Sequence, residues 1–343
     1  MSRERPPGSY EDLKAGEHEV TKMLATVRSL AEDLSAALGS GEVIGPALPQ
    51  ETPRFALYHA ANSICSQKVR VVLAQLQLSY SSHALNIFAG ETYLPSYVRL
   101  RLLGCERGGL PLVVAHTGST STSAGGCDPA VVPTLVDRQA DAVIVDSKQI
   151  CLYLDALVPA PRRLRPVSIQ MAIDAELDTV DNLPNYQMLV GQPIGPDMRP
   201  EKLKANNGVS FSMSKVKRCD RYLVEFAADP DLVRAYQAKR SKELMAAEHL
   251  FSEKAMENAY DRARGACAAL NNKLKTSQST WLAGSSVTLA DLFWAVELLR
   301  MKNLGAAYIW EQNRLPAVQR FVAAAEGLQS VRSAVLDWPG SQF

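Results

Sequence analysis

The sequence predicts a mixed α/β domain followed by an all-helical domain. Between residues 54 and 157, short apolar runs typical of strands alternate with apolar residues at helical spacing. From residue 166 onward, apolar residues recur at helical spacing to the end of the chain. The chain has 343 residues, which is enough for two domains of ordinary size. Together these observations indicate two domains of different fold class.

The composition is that of an ordinary globular protein. Hydrophobic residues make up 47% of the chain and charged residues 21%, so enough apolar surface exists to build a core. The formal net charge of +1 excludes a global attraction to nucleic acid or to an anionic membrane. No run of 18 apolar residues is present, and residues 1–8 lack the apolar stretch of a secretory signal. We therefore expect a cytoplasmic protein with neither a nucleic-acid partner nor a membrane partner.

Six cysteines are scattered along the chain without a C-x-x-C pair or a His-rich cluster. This spacing argues against a zinc site and against a disulfide framework, so we expect no metal. The absence of a secretory signal favours a reducing compartment, in which cysteines remain thiols. We expect at most one or two of them to carry chemistry. They are Cys65, Cys105, Cys127, Cys151, Cys219 and Cys267.

Residues 1–50 are interpreted as an N-terminal extension with one amphipathic helix and a linker. Apolar residues fall at helical spacing from Glu17 to Leu38, and the glycines at 39 and 41 end the helix. Three prolines within residues 45–53 indicate the linker. The helix is expected to cover part of the core or to pack on a partner subunit, and we favour the first.

Residues 51–160 contain six predicted elements in the order βαβ and then ββα. A βαβ unit requires a crossover and parallel pairing, whereas the following hairpin is antiparallel. This is the thioredoxin-like arrangement. The elements are a strand at Arg54–His59, a helix at Ile64–Gln77, a strand at Ser82–Ile87, strands at Val131–Val136 and Ala142–Val145, and a helix at Ser147–Leu157.

An insertion rich in Gly, Ser and Thr separates the two halves of this domain at residues 104–130. It shows no helical or strand period beyond Leu112–Ala115. Long irregular segments in compact domains are usually functional or disordered. We interpret this one as partly covering an active site, and a mobile insertion without function remains an alternative.

Residues 166–343 are predicted to form an all-helical domain. A cluster of Gly and Pro at Gln192–Pro200 interrupts the helical pattern, and no internal repeat is visible. Helical spacing is found at residues 167–190, 213–227, 231–274, 288–301 and 315–336.

The first local pattern with chemical meaning is Asn62–Arg70, where the first strand gives way to the first helix. Free backbone N–H groups and the helix dipole stabilise an anion there, which would lower the pKa of a thiol. The thiol could be that of Cys65 or of a bound ligand, and Ser63 could donate a hydrogen bond to it. Alternatively, Ser63 is only a helix cap and Cys65 a small buried residue.

The second pattern is Val132-Pro133, at the start of a predicted strand. Proline cannot donate a hydrogen bond to a sheet, so its position needs a structural reason. A cis bond between Val132 and Pro133 would supply one, because it exposes the Val132 backbone to an extended peptide ligand. The alternative is an ordinary proline on an edge strand.

The third pattern is Asp146-Ser147, between the last strand and the next helix. Ser147, at or near the helix N-cap, and the amides after it could bind a carboxylate. Asp146 could pair with an ammonium group. The alternative is that both residues only cap the helix.

In order and spacing, the three patterns resemble the glutathione site of the glutathione transferase superfamily. The resemblance implies glutathione as co-substrate, with its thiol beside Ser63 and Cys65, its backbone paired with Val132 and Pro133, and its γ-glutamyl group at Asp146 and Ser147. It also implies that the C-terminal domain binds the second substrate. The segment Ser286–Asp291 is similar to the family's capping box in a core helix, and that role is structural.

Within the superfamily, Ser63–Arg70 (SICSQKVR) is similar to the zeta class and still more to the reductive dehalogenases of chlorinated hydroquinones. Residues Tyr97–Leu100 (YVRL) and Ile150–Tyr153 (ICLY) also match that branch. The resemblance implies dehalogenation of a small aromatic substrate, with Ser63 and Cys65 as catalytic residues. A homodimer is also expected.

One feature departs from the wider superfamily. Asp128 and its neighbours stand where zeta enzymes place a Lys or Gln for the glycine carboxylate of glutathione, and Arg99, Arg101 or the insertion could replace it. His83 and His116 are interpreted as ordinary packing or surface residues. Two other functions stay open: a transferase that conjugates, isomerises or cleaves ethers, and a non-catalytic protein that binds aromatic ligands or a partner.

Overall fold

A computed structural model describes residues 27, 29–39, 41–46, 52–205 and 207–343. A five-stranded sheet near the N-terminus is followed by an all-helical region that continues to the end of the chain. The predicted fold class is therefore confirmed. Within the described part of the chain, no helix is both long enough and apolar enough to cross a membrane.

The sheet has the strand order β1-β3-β2-β4-β5. Strand β3 runs parallel to β2, and the remaining neighbours are antiparallel, so the βαβ and ββα halves are confirmed. The strands are β1 (Glu42–Ile44), β2 (Phe55–His59), β3 (Tyr80–Ala84), β4 (Thr134–Asp137) and β5 (Ala142–Val145).

The two faces of the sheet support different helices, because successive side chains of a strand point to opposite faces. Phe55 and Leu57 face helices α2 (Ile64–Leu76) and α5 (Ser147–Leu157). Tyr58 lies on the other face, which helix α3 (Pro95–Arg107) and a helix over residues 29–38, α1, cover.

The core is covered here by Leu30 and Leu34 of helix α1 and by Val27 just before it, all of which are buried. These three positions belong to the predicted apolar stripe, so the favoured role of the extension is confirmed for this part. The earlier turns of the predicted helix and most of the predicted linker lie outside the described residues. Strand β1, which pairs with β3 from Ile44 to Glu42, was not predicted.

Several predictions in the sheet domain were wrong. Strand β3 begins at Tyr80, because it pairs there with β1 and β2. It ends at Ala84, earlier than predicted, because a turn follows in which the Asn86 side chain accepts hydrogen bonds from the N–H groups of Phe88 and Ala89. Strand β4 begins only at Thr134, after the cis-proline. Helix α3 was not predicted, and it takes the first four residues of the predicted insertion.

The helical domain contains nine further α-helical segments among the described residues. Predicted segment 231–274 proved to be two helices, because Ser252 caps a new helix by accepting from the Ala255 N–H group. The segments are α6 (Gln170–Asp181), α7 (Asn185–Val190), α8 (Glu201–Lys204), α9 (Gly208–Glu225), α10 (Pro230–His249), α11 (Glu253–Ser277), α12 (Leu289–Asn303), α13 (Pro316–Gly327) and α14 (Gln329–Val331).

Helix α12 is the central element, since residues 289–301 are all buried. It packs against α2 and α6, so it joins the two domains. The capping-box prediction is confirmed: the Asp291 carboxylate accepts from the backbone N–H of Thr288 at 2.8 Å.

The C-terminal residues return to helix α2. Gln67 Nε2 donates to the backbone oxygen of Ser341 at 2.8 Å, and Arg70 Nε donates to that of Ala334 at 3.0 Å. Both α2 side chains are buried. These hydrogen bonds fix α2 against a distant part of the chain.

Candidate active site

A cavity of about 750 Å³ lies between the sheet domain and the helical domain. All six predicted site residues line it: Ser63, Cys65, Val132, Pro133, Asp146 and Ser147. The structure therefore brings the first motif together with two motifs that follow it about 70 and 80 residues later in the sequence.

Ser63 is the N-cap of α2 and Cys65 lies in the first turn of this helix. The Ser63 hydroxyl oxygen accepts from the Ser66 N–H group at 3.4 Å, which is a long and therefore weak cap. Both Ser63 and Cys65 face the cavity. The helix N-terminus thus presents a hydroxyl group and a thiol to the same space.

The environment of Cys65 differs from the prediction of a lowered pKa. Surrounding protein desolvates the thiol and raises its pKa, although Lys68 and a hydrogen bond with Ser147 act in the opposite direction. Burial outweighs them because the thiolate is the form that loses hydration. The side chain is nevertheless partly accessible, whereas the other five cysteines are buried.

The Val132–Pro133 peptide bond is cis, as predicted. Two side chains of α3 hold this loop: the Tyr97 hydroxyl donates to the Val131 oxygen at 2.8 Å, and Arg101 Nη1 donates to the Pro133 oxygen at 2.6 Å. Among the described residues, no hydrogen bond involves the backbone N–H or oxygen of Val132. This backbone is therefore free to pair with a ligand.

The third motif places Ser147 at the first residue of α5, next to the N-cap, in agreement with the prediction. Asp146 is the N-cap of α5, and its carboxylate accepts from the Gln149 N–H at 3.0 Å. Asp146 has a φ of 75°, which non-glycine residues seldom adopt. Burial raises the pKa of the Asp146 carboxyl, and the nearby Asp181 adds to this effect.

The insertion lines the cavity, in agreement with its predicted covering role. Its residues Val113, His116 and Ser119 contribute to the cavity wall. Backbone hydrogen bonds fix it to the helical domain, from Thr120 N–H to the Asp181 oxygen and from Tyr186 N–H to the Gly118 oxygen.

Two arginines were considered for the glycine carboxylate of glutathione, and both are engaged elsewhere. Arg99 lies at the surface and donates to the Asp229 carboxylate at 2.6 Å. Arg101 is buried and donates to Thr134 Oγ1 and to the backbone oxygens of Asp128 and Pro133. Arg101 therefore orients the cis-proline loop.

Sequence reasoning missed a buried ion pair next to Cys65. Lys68 Nζ lies 2.7 Å from Asp181 Oδ1, so α2 and α6 are joined beside the thiol. The signal for Lys68 was present, because it lies one helical turn after Cys65 in the motif. No local signal identified Asp181.

A second missed group also lines the cavity. It consists of Lys215, Lys239 and Lys242 with the carboxylates of Asp128 and Glu243, and we call it the lysine cluster. Its members come from α9, α10 and the insertion.

The two histidines are neutral packing residues, as interpreted. Burial lowers the pKa of His83, which stacks on Tyr58 at 4.7 Å. Burial also lowers the pKa of His116 well below its usual range, and this ring stacks on Tyr186 at 4.2 Å.

The protein has a thioredoxin-like sheet whose cis-proline loop and two helix N-termini face one cavity. This sheet is joined to an all-helical domain. The two features together define the class of the glutathione transferases. Two family models match the chain: "Glutathione S-transferase, N-terminal domain" over residues 62–157 and "Glutathione S-transferase, C-terminal domain" over residues 236–328. The chain belongs to the glutathione transferase family, and it is an enzyme.

Among curated relatives, the chain is 36% identical to 2,5-dichlorohydroquinone reductive dechlorinase of Sphingobium indicum over 291 residues, which are 84% of either chain. It is 26% identical to tetrachloro-p-hydroquinone reductive dehalogenase of Sphingobium chlorophenolicum, over 84% of this chain and 99% of that one. These relatives extend the resemblance well beyond the site motifs.

Two solved structures share the fold at low identity. β-Etherase LigF from Sphingobium sp. strain SYK-6 has a TM-score of 0.52 and 13% identity, over 82% of this chain and 98% of that one. A bacterial zeta-class maleylpyruvate isomerase has a TM-score of 0.50 and 14% identity, over 84% of this chain and all of that one. Both support the fold alone.

Proposed function

We propose that this enzyme removes halogen from a chlorinated hydroquinone, with glutathione as the reductant. The observation that carries the proposal is that Cys65 alone, among the six cysteines in the described part of the chain, is partly accessible and faces the cavity. A thiol that receives sulfur from an intermediate must be reachable by it. The 36% identity to a 2,5-dichlorohydroquinone reductive dechlorinase supports the same reaction.

In the first step, glutathione thiolate, hydrogen-bonded by Ser63, attacks the ring carbon that carries chlorine in the electrophilic tautomer of the substrate. A carbon–sulfur bond forms and chloride leaves with the carbon–chlorine electron pair. The free N–H groups at the start of α2 stabilise the thiolate. The Val132 backbone and Ser147 hold the peptide of glutathione in this orientation.

In the second step, the Cys65 thiolate attacks the sulfur of the conjugate. The carbon–sulfur bond breaks, its electron pair stays with the ring carbon, and that carbon takes a proton. Cys65 is left in a mixed disulfide with glutathione. A second glutathione thiolate then releases glutathione disulfide and restores Cys65. Two glutathione molecules are oxidised for each carbon–chlorine bond reduced.

The raised pKa of Cys65 is compatible with this order of events. A thiol of high pKa is a weak nucleophile when protonated but a strong one once ionised. Lys68 lies one turn away and favours the thiolate.

The test is a turnover screen of halogenated hydroquinones with glutathione, in which chloride and glutathione disulfide are measured together. We expect one chloride and one glutathione disulfide for each ring reduced. Conjugation without a reduced product would favour a general transferase, and isomerisation or ether cleavage would favour the other enzymatic alternative.

Three sequence predictions remain proposals: the homodimer, the cytoplasmic location, and the division into an extension at 1–50, a glutathione-binding domain at 51–160 and a substrate-binding domain at 166–343. Sedimentation of the purified protein tests the first. A mass of one chain would contradict it.

A further inference from the structure

The cavity has an excess of positive charge. Among the described residues that line it, seven are lysine or arginine and three are aspartate or glutamate. Uncompensated charge in a partly desolvated site is costly, and an anionic ligand offsets that cost. The cavity therefore favours an anionic ligand.

Within the lysine cluster, the three ammonium groups are not equally neutralised. Lys239 and Lys242 lie 2.6 Å and 2.8 Å from the Asp128 carboxylate. Lys239 also lies 2.8 Å from Glu243. The contact of Lys215 is longer, because its Nζ lies 3.3 Å from the nearest Glu243 oxygen. Its other polar neighbour is the Tyr186 hydroxyl at 3.1 Å.

The neighbouring groups do not remove this excess of charge. Three ammonium groups face two carboxylates in the cluster. His116 and Tyr186 are neutral at pH 7, because burial lowers the pKa of the first and raises that of the second. Burial and the other lysines lower the pKa of Lys215 to about 8, so this ammonium group gains most from a bound anion.

The surroundings of Lys215 also indicate which anion fits. Its Nζ lies 4.6 Å from the ring centre of Tyr186 and 4.5 Å from that of Phe211. Both rings line the cavity. A flat aromatic ligand can contact these rings from the cavity, and its ionised oxygen can then approach the ammonium group.

We propose that Lys215 is a substrate-binding residue that holds the ionised hydroxyl group of an aromatic substrate. The proposal depends on the proposed function in one respect, namely that the substrate is a phenol or a hydroquinone. The lysine cluster would select phenolates and orient the ring so that the carbon attacked by glutathione faces Ser63. The other source of an anion is the glycine carboxylate of glutathione, and the experiment separates the two.

The probe is 4-nitrophenol, because its ionised form absorbs visible light and no turnover is needed. We expect bound 4-nitrophenol to ionise about one pH unit below the free compound. In Lys215→Met the affinity for the phenolate should fall about tenfold or more, and the ionisation should return to that of the free compound. Lys215→Arg should retain the affinity, because the charge is kept.

Lys217→Met is the matched control, since Lys217 is exposed on the same helix. It should bind 4-nitrophenol as the wild type does. Lys215→Met is expected to fold, because Glu243 keeps its ion pair with Lys239. Circular dichroism of both variants checks this directly.

Two results would overturn the proposal. An equal loss of affinity for 4-nitroanisole, which lacks the ionisable hydroxyl group, would show that Lys215 acts only by packing. Calorimetry in which Lys215→Met weakens glutathione tenfold and leaves 4-nitrophenol unchanged would assign the anion to glutathione. Neither result depends on dehalogenation, so failure of the substrate screen is a separate outcome.

Discussion

Lys68 Nζ and Asp181 Oδ1 are 2.7 Å apart, and their side chains are only 0% and 5% exposed. Lys68 belongs to α2 and Asp181 ends α6, so this pair joins the sheet domain to the helical domain. It also lies beside Cys65, whose pKa Lys68 lowers and Asp181 raises. One ion pair thus contributes to both the domain interface and the reactivity of the thiol.

Removing one partner of this pair should destabilise the protein strongly. Lys68→Met leaves the buried Asp181 carboxylate without its cation, so we expect the free energy of unfolding to fall by about 3–5 kcal/mol. Urea denaturation measures the change. The double variant Lys68→Met with Asp181→Leu should recover most of the lost stability, because neither position then carries a buried charge. A single variant as stable as the exposed control Lys217→Met would contradict the prediction.

Glu297 should make stability depend on pH. Burial raises its pKa from 4.5 to about 7. Between these values the folded protein holds a proton that the unfolded protein has lost, so stability falls as the pH rises from about 4.5 to about 7. We expect Glu297→Gln to remove this fall and to stabilise the protein at pH 8 by roughly 1–3 kcal/mol. Urea denaturation at pH 5 and pH 8 measures it, and an unchanged pH dependence would refute the assignment.

Cys65→Ser should separate the two sulfur steps of the proposed reaction. Without the thiol, the variant should still consume substrate and release chloride. It should accumulate the glutathionyl-hydroquinone, because no group then attacks the sulfur of the conjugate. Mass spectrometry identifies the product. Replacement of the five buried cysteines should leave the product unchanged, and a fully reduced ring formed by Cys65→Ser at the wild-type rate would disprove the resolving role.

Ser63→Ala should slow the first step instead. The bound thiolate loses a hydrogen-bond donor, so we expect the pKa of bound glutathione to rise by about one unit. Ultraviolet absorbance of the thiolate measures this pKa. Ser63→Thr keeps the hydroxyl group and should behave like the wild type. Loss of the helix cap alone would lower stability in Ser63→Ala without moving the pKa.

Ser147→Ala and Asp146→Ala should each weaken glutathione binding by roughly 1–3 kcal/mol, through loss of a charge-assisted contact. Calorimetry gives the affinities. Asp146 also caps α5, so the second variant needs a separate stability measurement. The variant Asp146→Asn keeps a capping side chain and removes only the negative charge, so it measures the contribution of that charge to glutathione binding. Wild-type affinity in both alanine variants would remove the basis for the glutathione site.

Local signals explain what could be predicted from the sequence. The helix predicted at Ser147–Leu157 has those bounds in the structure, because a capping aspartate and regular apolar spacing define it within one segment. The cis bond of Pro133 was predictable because a proline at the start of a strand has few roles. The three site motifs are likewise short and contiguous.

Elements that depend on distant contacts could not be predicted in this way. Strand β1 has three residues and forms by pairing with β3. Helix α3 was missed because arginines interrupt its apolar pattern, yet Arg101 is buried and bonded to backbone oxygens. Lys239 and Asp128 are 111 residues apart, so the lysine cluster left no local pattern.

The contacts between α2 and the C-terminal residues also constrain how the protein is made. Arg70 and Gln67 bond to residues 264 and 274 positions later in the chain. A ribosome releases the chain from its N-terminus, so α2 leaves the exit tunnel long before those partners are translated. Contacts over such separations form late in folding. A nascent chain stalled before Ala334 therefore lacks the hydrogen bond that Arg70 donates to that residue, so helix α2 is not yet fixed on this side.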